Sequence, residues 1–213
     1  MAAAERMRIT VTGSQTHGAV PWKGVDPIAI SSQIITALQT IVAREVNITQ
    51  VPAVVTIGSI HGGVRNNIIP EEVVMEGTIR TFNDEVRKDI HDSIRKKAEM
   101  IASASGATAK VEIFSDIAKV TFNEPSLTDK MVPSLERVYG KENVKITPFI
   151  TGAEDFPFFT DHAPGLYFFN GVAPDPSKAA PNHSPYFFAD ERNLKYGTKA
   201  LTQLAVDYLY LYK

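Results

Sequence analysis

The order of strand-like and helix-like segments between residues 6 and 117 restricts the fold of this chain more than any other feature. Four segments alternate apolar and polar residues, as strands with one buried face do: residues 6–13, 53–60, 72–82 and 109–114. Two segments between them repeat apolar residues every three or four positions, which is typical of helices packed on one side. The resulting order, β-α-β-β-α-β, predicts an α+β, ferredoxin-like domain with both helices on one face of an antiparallel sheet.

Local signals mark the ends of both predicted helices. Asp26 followed by Pro27 predicts the start of the first helix, because aspartate caps a helix and proline suits its first turn. Asp84 is predicted to cap the second helix, which ends near Gly106. Residues 1–118 are therefore expected to form one complete small domain.

The remainder, residues 119–213, has a different character. We expect a helix at 127–139, strands at 145–150 and 165–170, and a final helix from about Asn193. Two strands and two helices bury too little surface for an independent core. This segment is predicted to complete a larger α/β layer whose other strands come from elsewhere.

Composition excludes several classes of partner. The 213 residues are 44% hydrophobic, and 22 basic and 24 acidic residues are interspersed to give a net charge of -2. No basic stripe favours nucleic acid, and no apolar run reaches the roughly 20 residues that span a bilayer. We expect a soluble protein without nucleic acid or membrane partners. Its compartment is not determined by the sequence, with a slight preference for the cytoplasm.

A few polar residues could carry chemistry, and each also has an ordinary structural interpretation. His183 lies between Pro181 and Pro185 and could bind a metal, or could be a loop histidine bonded to a carbonyl. Glu154 could be catalytic, or could favour the start of a helix predicted at residue 152. His17 could be solvated at the tip of a loop. Catalytic zinc takes three protein ligands, and this chain has five separated histidines and no cysteine.

Taken in order, several motifs resemble the amidohydrolase branch of the M20 metallopeptidases, the family of hippurate, N-acyl-amino-acid and auxin-conjugate hydrolases. The matching motifs extend over nearly the whole chain: residues 13–21 with 26–27, 62–70, 77–82, 152–156 and 183–185. Gln15 and Thr16 depart from the two glycines that are usual before the histidine of the first motif. Each motif is weak alone, and the five in this order are specific.

The resemblance implies a role for each candidate residue. Residues 1–118 are similar to the family's lid and dimerisation domain, and 119–213 to the C-terminal part of its catalytic α/β domain. His183 then maps onto a metal ligand. Glu154, in the motif at 152–156, is the catalytic candidate of this chain, while the family's Glu-Glu pair with its general base lies upstream of the lid. His17 maps onto the lid histidine that polarises the scissile carbonyl, often in the partner subunit's site. Asn67 and Arg80 map onto residues that hold the substrate's carboxylate or carbonyl, which suits a planar guanidinium.

The resemblance also implies a divalent cofactor, zinc or else manganese, cobalt or nickel, as a dinuclear centre. The family's other ligands lie upstream of the lid, and residues 1–5 resemble its linker into the lid. We therefore expect this chain to be a fragment that binds metal weakly and turns over little by itself. The expected substrates are N-acyl amino acids or small peptides, and the expected assembly is a homodimer through the lid.

Two other functions are compatible with a ferredoxin-like domain. A non-catalytic dimerisation or interaction module would pair through an edge strand or the helices. An RNA-binding domain would need aromatic residues on its central strands and a basic face. Residues 6–13 and 72–79 contain no aromatic residue, which argues against RNA binding.

Overall fold

The computed structural model describes residues 1–211, apart from the side chains of residues 116 and 117. It divides into two compact units: residues 1–121 with 149–158, and residues 122–148 with those from 159 onward. The last two residues of the predicted C-terminal segment lie outside the described residues. The domain boundary at residue 118 stays a prediction.

The first unit has the predicted ferredoxin-like topology. Its strands are β1 (Ala3–Thr12), β2 (Thr16–His17), β3 (Ala53–Gly62), β4 (Ile68–Ile69), β5 (Glu72–Thr81) and β6 (Thr108–Ala118). Four of these form an antiparallel sheet in the order β3-β5-β1-β6, whereas β2 and β4 form a separate ribbon. Helices α1 (Pro27–Thr40) and α2 (Asp84–Ala104) complete the β-α-β-β-α-β order, and a π-helical turn, Ile41–Glu45, extends α1.

The core lies between the helices and one face of the sheet. Met7, Ile9 and Val11 alternate along β1 and are fully buried, together with Ile34 of α1 and Ile94 of α2. Each such aliphatic side chain contributes about 1.5–3 kcal/mol by leaving water. The apolar face predicted from the strand period of two and the apolar faces predicted from the helical period thus pack together in one layer.

The beginning of β1 differs from the prediction. The strand predicted from residue 6 begins earlier, because Ala3, Ala4 and Glu5 already pair with β5. Ala2, Ala3 and Ala4 are all buried. Small side chains let the central strand continue into a crowded part of the unit.

The helix starts were predicted with one error. Asp26 caps α1 as expected, since its carboxylate accepts bonds from the N–H groups of Ile28 and Ala29. Asn83, not Asp84, caps α2: its backbone is extended and its side-chain oxygen accepts bonds from the next turn. Asp84 is instead the first helical residue, where its charge is favoured by the helix dipole.

The second unit contains α3 (Pro125–Tyr139) and α5 (Leu194–Leu211), and a single turn, α4 (Pro157–Thr160), spans the division between the units. The strands predicted at 145–150 and 165–170 were wrong, because the backbone there is irregular. At Tyr167 the side-chain amide of Asn123 takes the place of a neighbouring strand. It donates to Tyr167 O and accepts from Tyr167 N, each at 2.8 Å.

The described helices include none that is long and apolar enough to cross a membrane. The predicted final helix is confirmed as α5, and the helix predicted at 127–139 is confirmed as α3 with two further residues at its start.

Candidate functional site

The β2–β4 ribbon places His17 beside Asn67. His17 pairs with Ile68, and the N–H of Gly18 donates to Asn67 O at 2.8 Å. Both His17 and Asn67 are exposed. Two of the predicted site residues, which are 50 positions apart in the sequence, are therefore neighbours on one short ribbon.

The imidazole of His17 is oriented by its own loop. The backbone N–H of Ala19 donates to His17 Nδ1 at 3.0 Å, so Nδ1 acts as an acceptor. In a neutral ring the proton then resides on Nε2. The ribbon consequently presents an N–H donor, suited to a carbonyl oxygen, next to the amide of Asn67.

Arg80 lies at the other end of β5 from this ribbon. β4 leads into β5 at Glu72, and the strand rises about 26 Å from Glu72 to Arg80, at about 3.3 Å per residue. The Arg80 guanidinium donates to Thr78 Oγ1 and to Ile79 O and is half-buried. Within one copy of the chain, the structure does not bring Arg80 together with His17 and Asn67.

Glu154 lies at the same end of the sheet as Arg80. Its segment is attached to the start of β1, where Ala2 N donates to the carbonyl oxygens of Ile150 and Gly152, each at 3.1 Å. β1 and β5 are in register there, with Ala4 opposite Arg80. Phe82, just after β5, also packs its ring on Phe149 at 4.7 Å between centroids.

The helix predicted to start at Gly152 was wrong. Residues 152–156 are irregular, and the nearest helix is the single turn that begins at Pro157. Glu154 is half-buried and lies before that turn. The local backbone therefore gives Glu154 no helix to cap.

His183 is exposed on an irregular loop of the second unit. Its φ of 68° is left-handed, and among the described residues it is the one non-glycine residue with positive φ. Ser184 N donates to Pro181 O at 3.1 Å, which closes the turn around it. Such backbone strain is concentrated at functional sites, which is compatible with a ligand role.

The described residues do not form a metal centre. Among the side chains that the structure describes, no three His, Asp or Glu residues come together as a metal site would require. The candidate ligand His183 therefore has no described partners for a dinuclear centre. The chain as described does not fit the cofactor that the resemblance implies.

A buried ionic cluster in the first unit was not predicted. The Glu5 side chain is 1% exposed; its oxygens lie 2.6 Å from His91 Nε2 and accept a bond from Ser115 Oγ at 2.6 Å. Burial by itself would raise the pKa of Glu5, but the hydrogen bonds from His91 and Ser115 outweigh it and hold the pKa below its ordinary value. The sequence signal that could have identified this cluster is the position of Glu5, which alternates with Met7 and Ile9 on the buried face of β1.

Comparison with known proteins gives a consistent set of relatives. Residues 4–105 match the M20 peptidase dimerisation domain. Thermostable carboxypeptidase 2 of Saccharolobus solfataricus is 38% identical over 209 residues, which are 98% of this chain and 52% of that protein. N-acetyl-L-cysteine deacetylase of Bacillus subtilis is 37% identical over 194 residues, 90% of this chain and 44% of that protein.

Solved structures agree. An aminohydrolase from methicillin-resistant Staphylococcus aureus has a TM-score of 0.87 at 26% identity, over 98% of this chain and 53% of that one. A dinuclear metal-binding M20 peptidase of Bacillus subtilis has a TM-score of 0.75 at 27% identity, over 99% of this chain and 51% of that one. The chain thus spans about half the length of the relatives that it matches.

Proposed function

Because this chain belongs to the M20 peptidases, whose members are hydrolases, we propose that it takes part in hydrolysing an amide bond of N-acyl amino acids or small peptides. The observation that carries the proposal is the arrangement of four candidate residues at two ends of one sheet. His17 and Asn67 lie at one end of β5, and Arg80 and Glu154 lie at the other. About 26 Å of strand is too long for one small substrate to span.

A second copy of the chain resolves this separation. In a symmetric dimer, His17 and Asn67 of one copy can serve the site that contains Arg80 and Glu154 of the other copy. The guanidinium and the amide then hold the substrate's carboxylate, and His17 Nε2 donates to the carbonyl oxygen that gains charge during attack. Glu154 supplies a carboxylate for proton transfer near the scissile bond.

Metal dependence is part of the proposal, although the described residues do not assemble a centre. His183 is proposed as one ligand. The other ligands would come from a segment equivalent to the part of the relatives that this chain does not match. Hydrolysis should therefore be tested with the full-length polypeptide that carries these residues. We expect turnover of N-acyl amino acids that is lost with a chelator and restored by Zn²⁺, Mn²⁺, Co²⁺ or Ni²⁺.

This experiment also separates the two functions that the sequence leaves open. A panel of N-acyl amino acids and dipeptides is assayed by amine release, before and after dialysis against EDTA. Turnover unaffected by chelation would contradict the metal dependence. A full-length protein that dimerises but hydrolyses no member of the panel would favour the non-catalytic dimerisation module.

The surface that pairs in the dimer is proposed to be the side formed by α1 and β3. Residues 27–64, which include both elements, contain Arg44 and Glu45 as their only Asp, Glu, Lys or Arg residues. About half of the positions in α2 are charged, and the opposite edge strand β6 carries Lys110 and Glu112. Charges protect sheet edges against pairing, so β3 is the edge without this protection.

Two lysines on α1 should therefore separate the dimer. Gln33 and Thr36 are exposed one turn apart, and across a two-fold axis each new lysine would approach its own copy. We expect Gln33→Lys/Thr36→Lys to sediment as a monomer at concentrations where the unaltered protein is a dimer. The matched control, Met100→Lys/Ser103→Lys on exposed positions of α2, should remain dimeric. Dissociation of the control alone would place the interface on the α2 side.

A further inference from the structure

His17 belongs to a closed loop with a rigid base. Residues 14–25, here called the His17 loop, are joined at their ends because Ser14 and Val25 exchange both backbone hydrogen bonds at 3.0 Å. Gly24 packs against this base so tightly that a Cβ atom would lie 2.4 Å from Ser14 O. Only glycine fits there, so the sequence fixes the shape of the loop before any partner binds.

The His17 loop also exposes a tryptophan. His17 and Trp22 each lie three residues from the paired base, and the 3-10 turn that contains Trp22, Pro21–Lys23, contacts β2. Trp22 is 76% exposed and is the single tryptophan of the chain. An exposed indole on a preorganised loop is typical of a residue that makes its contacts on binding.

Asn67, His17 and Trp22 follow one another across the loop. On one edge of β2, Gly18 N donates to Asn67 O at 2.8 Å. On the other edge, His17 O accepts a bond from Val20 N at 2.9 Å, and Val20 directly precedes the turn that contains Trp22. Neighbouring residues of a strand direct their backbone groups to opposite edges, so the backbone of His17 lies between Asn67 and the turn that contains Trp22.

This order matches the order of groups in an N-acyl amino acid: carboxylate, amide carbonyl, acyl chain. We propose that Trp22 is a specificity-determining residue whose indole packs against an apolar acyl group, while His17 contacts the carbonyl and Asn67 the carboxylate. The inference rests on the proposed function. It adds a preference for substrates with an extended apolar or aromatic acyl group over those with an acetyl group.

Variants of Trp22 in the full-length polypeptide test this preference. One amino acid is supplied with acetyl, butyryl, octanoyl and benzoyl groups, and kcat/KM is measured for each. We expect Trp22→Ala to lower the octanoyl-to-acetyl ratio of kcat/KM by about tenfold to one hundredfold, since the lost contact grows with the buried acyl chain. Trp22→Phe should retain most of the ratio, and Met100→Ala, an exposed apolar side chain on α2, should leave it unchanged.

The outcomes separate this inference from the function on which it rests. If the unaltered polypeptide hydrolyses no substrate of the series, the proposed function fails and the inference fails with it. If it hydrolyses them and Trp22→Ala leaves the ratio unchanged, or lowers kcat/KM equally for all substrates, the inference alone is overturned.

Discussion

Glu5→Ala is expected to lower the free energy of unfolding by about 3 kcal/mol, which is the lower end of the range for removing a buried carboxylate from its hydrogen-bonding partners. The substitution leaves His91 Nε2 and Ser115 Oγ without the carboxylate that each contacts at 2.6 Å. The lower end applies because the His91 side chain keeps 14% exposure to solvent. Chemical denaturation of the 213-residue chain at pH 7 measures the loss.

The same cluster should make stability depend on pH in the acid range. The pKa of Glu5 lies below its ordinary value of 4.5 in the folded chain, so the folded state binds this proton less readily than the unfolded state. The stabilisation is present above pH 4.5 and is lost as the pH falls through the folded pKa. In Glu5→Gln, the fall of stability below pH 4.5 should be shallower than in the unaltered chain.

Glu112→Ala is the matched control for Glu5. Glu112 is a carboxylate on β6 of the same sheet and pairs with the exposed Lys110. Exposed ion pairs contribute little, so this substitution should change stability and its pH dependence only slightly. Equal losses from the two substitutions would show that the buried contacts of Glu5 have no special importance.

The fold of the first unit could be predicted because its signals are local. The spacing of Ile30, Ile34 and Leu38 identifies the buried face of α1 from the sequence alone. The β2–β4 ribbon could not be predicted this way, since each strand has two residues and no period can be read from two positions. Glu5 was missed for another reason: its partners, His91 on α2 and Ser115 on β6, are distant in sequence.

The candidate site was predicted as residues but not as an arrangement. The motif order identified His17 and Glu154 without indicating that His17 lies beside Asn67 and Glu154 at the Arg80 end of the sheet. These neighbours depend on the pairing of β2 with β4 and on the bonds from Ala2 to the carbonyl oxygens of residues 150 and 152. The strand predicted at 165–170 was wrong because a strand needs a hydrogen-bonding neighbour, and the backbone of Tyr167 bonds to the Asn123 side chain instead.

Loss of His17 or of Arg80 should each greatly reduce hydrolysis by the full-length polypeptide. His17→Ala removes a donor to the developing oxyanion, so we expect kcat to fall by about 100- to 1000-fold. Arg80→Ala removes a charged contact to the substrate's carboxylate, and we expect kcat/KM to fall by about 10- to 100-fold. Steady-state kinetics on one N-acyl amino acid distinguish the two effects.

Mixing these two inactive variants tests most directly whether one site is built from two copies. Dimers of His17→Ala and Arg80→Ala are dissociated, combined in equal amounts and reassociated, and activity is compared with that of each variant alone. Half of the dimers should be mixed, and one of the two sites in each mixed dimer has both residues intact, so about one quarter of the unaltered activity should return. If the mixture is no more active than the separate variants although mixed dimers form, His17 and Arg80 act within one copy, and the proposed composite site is wrong.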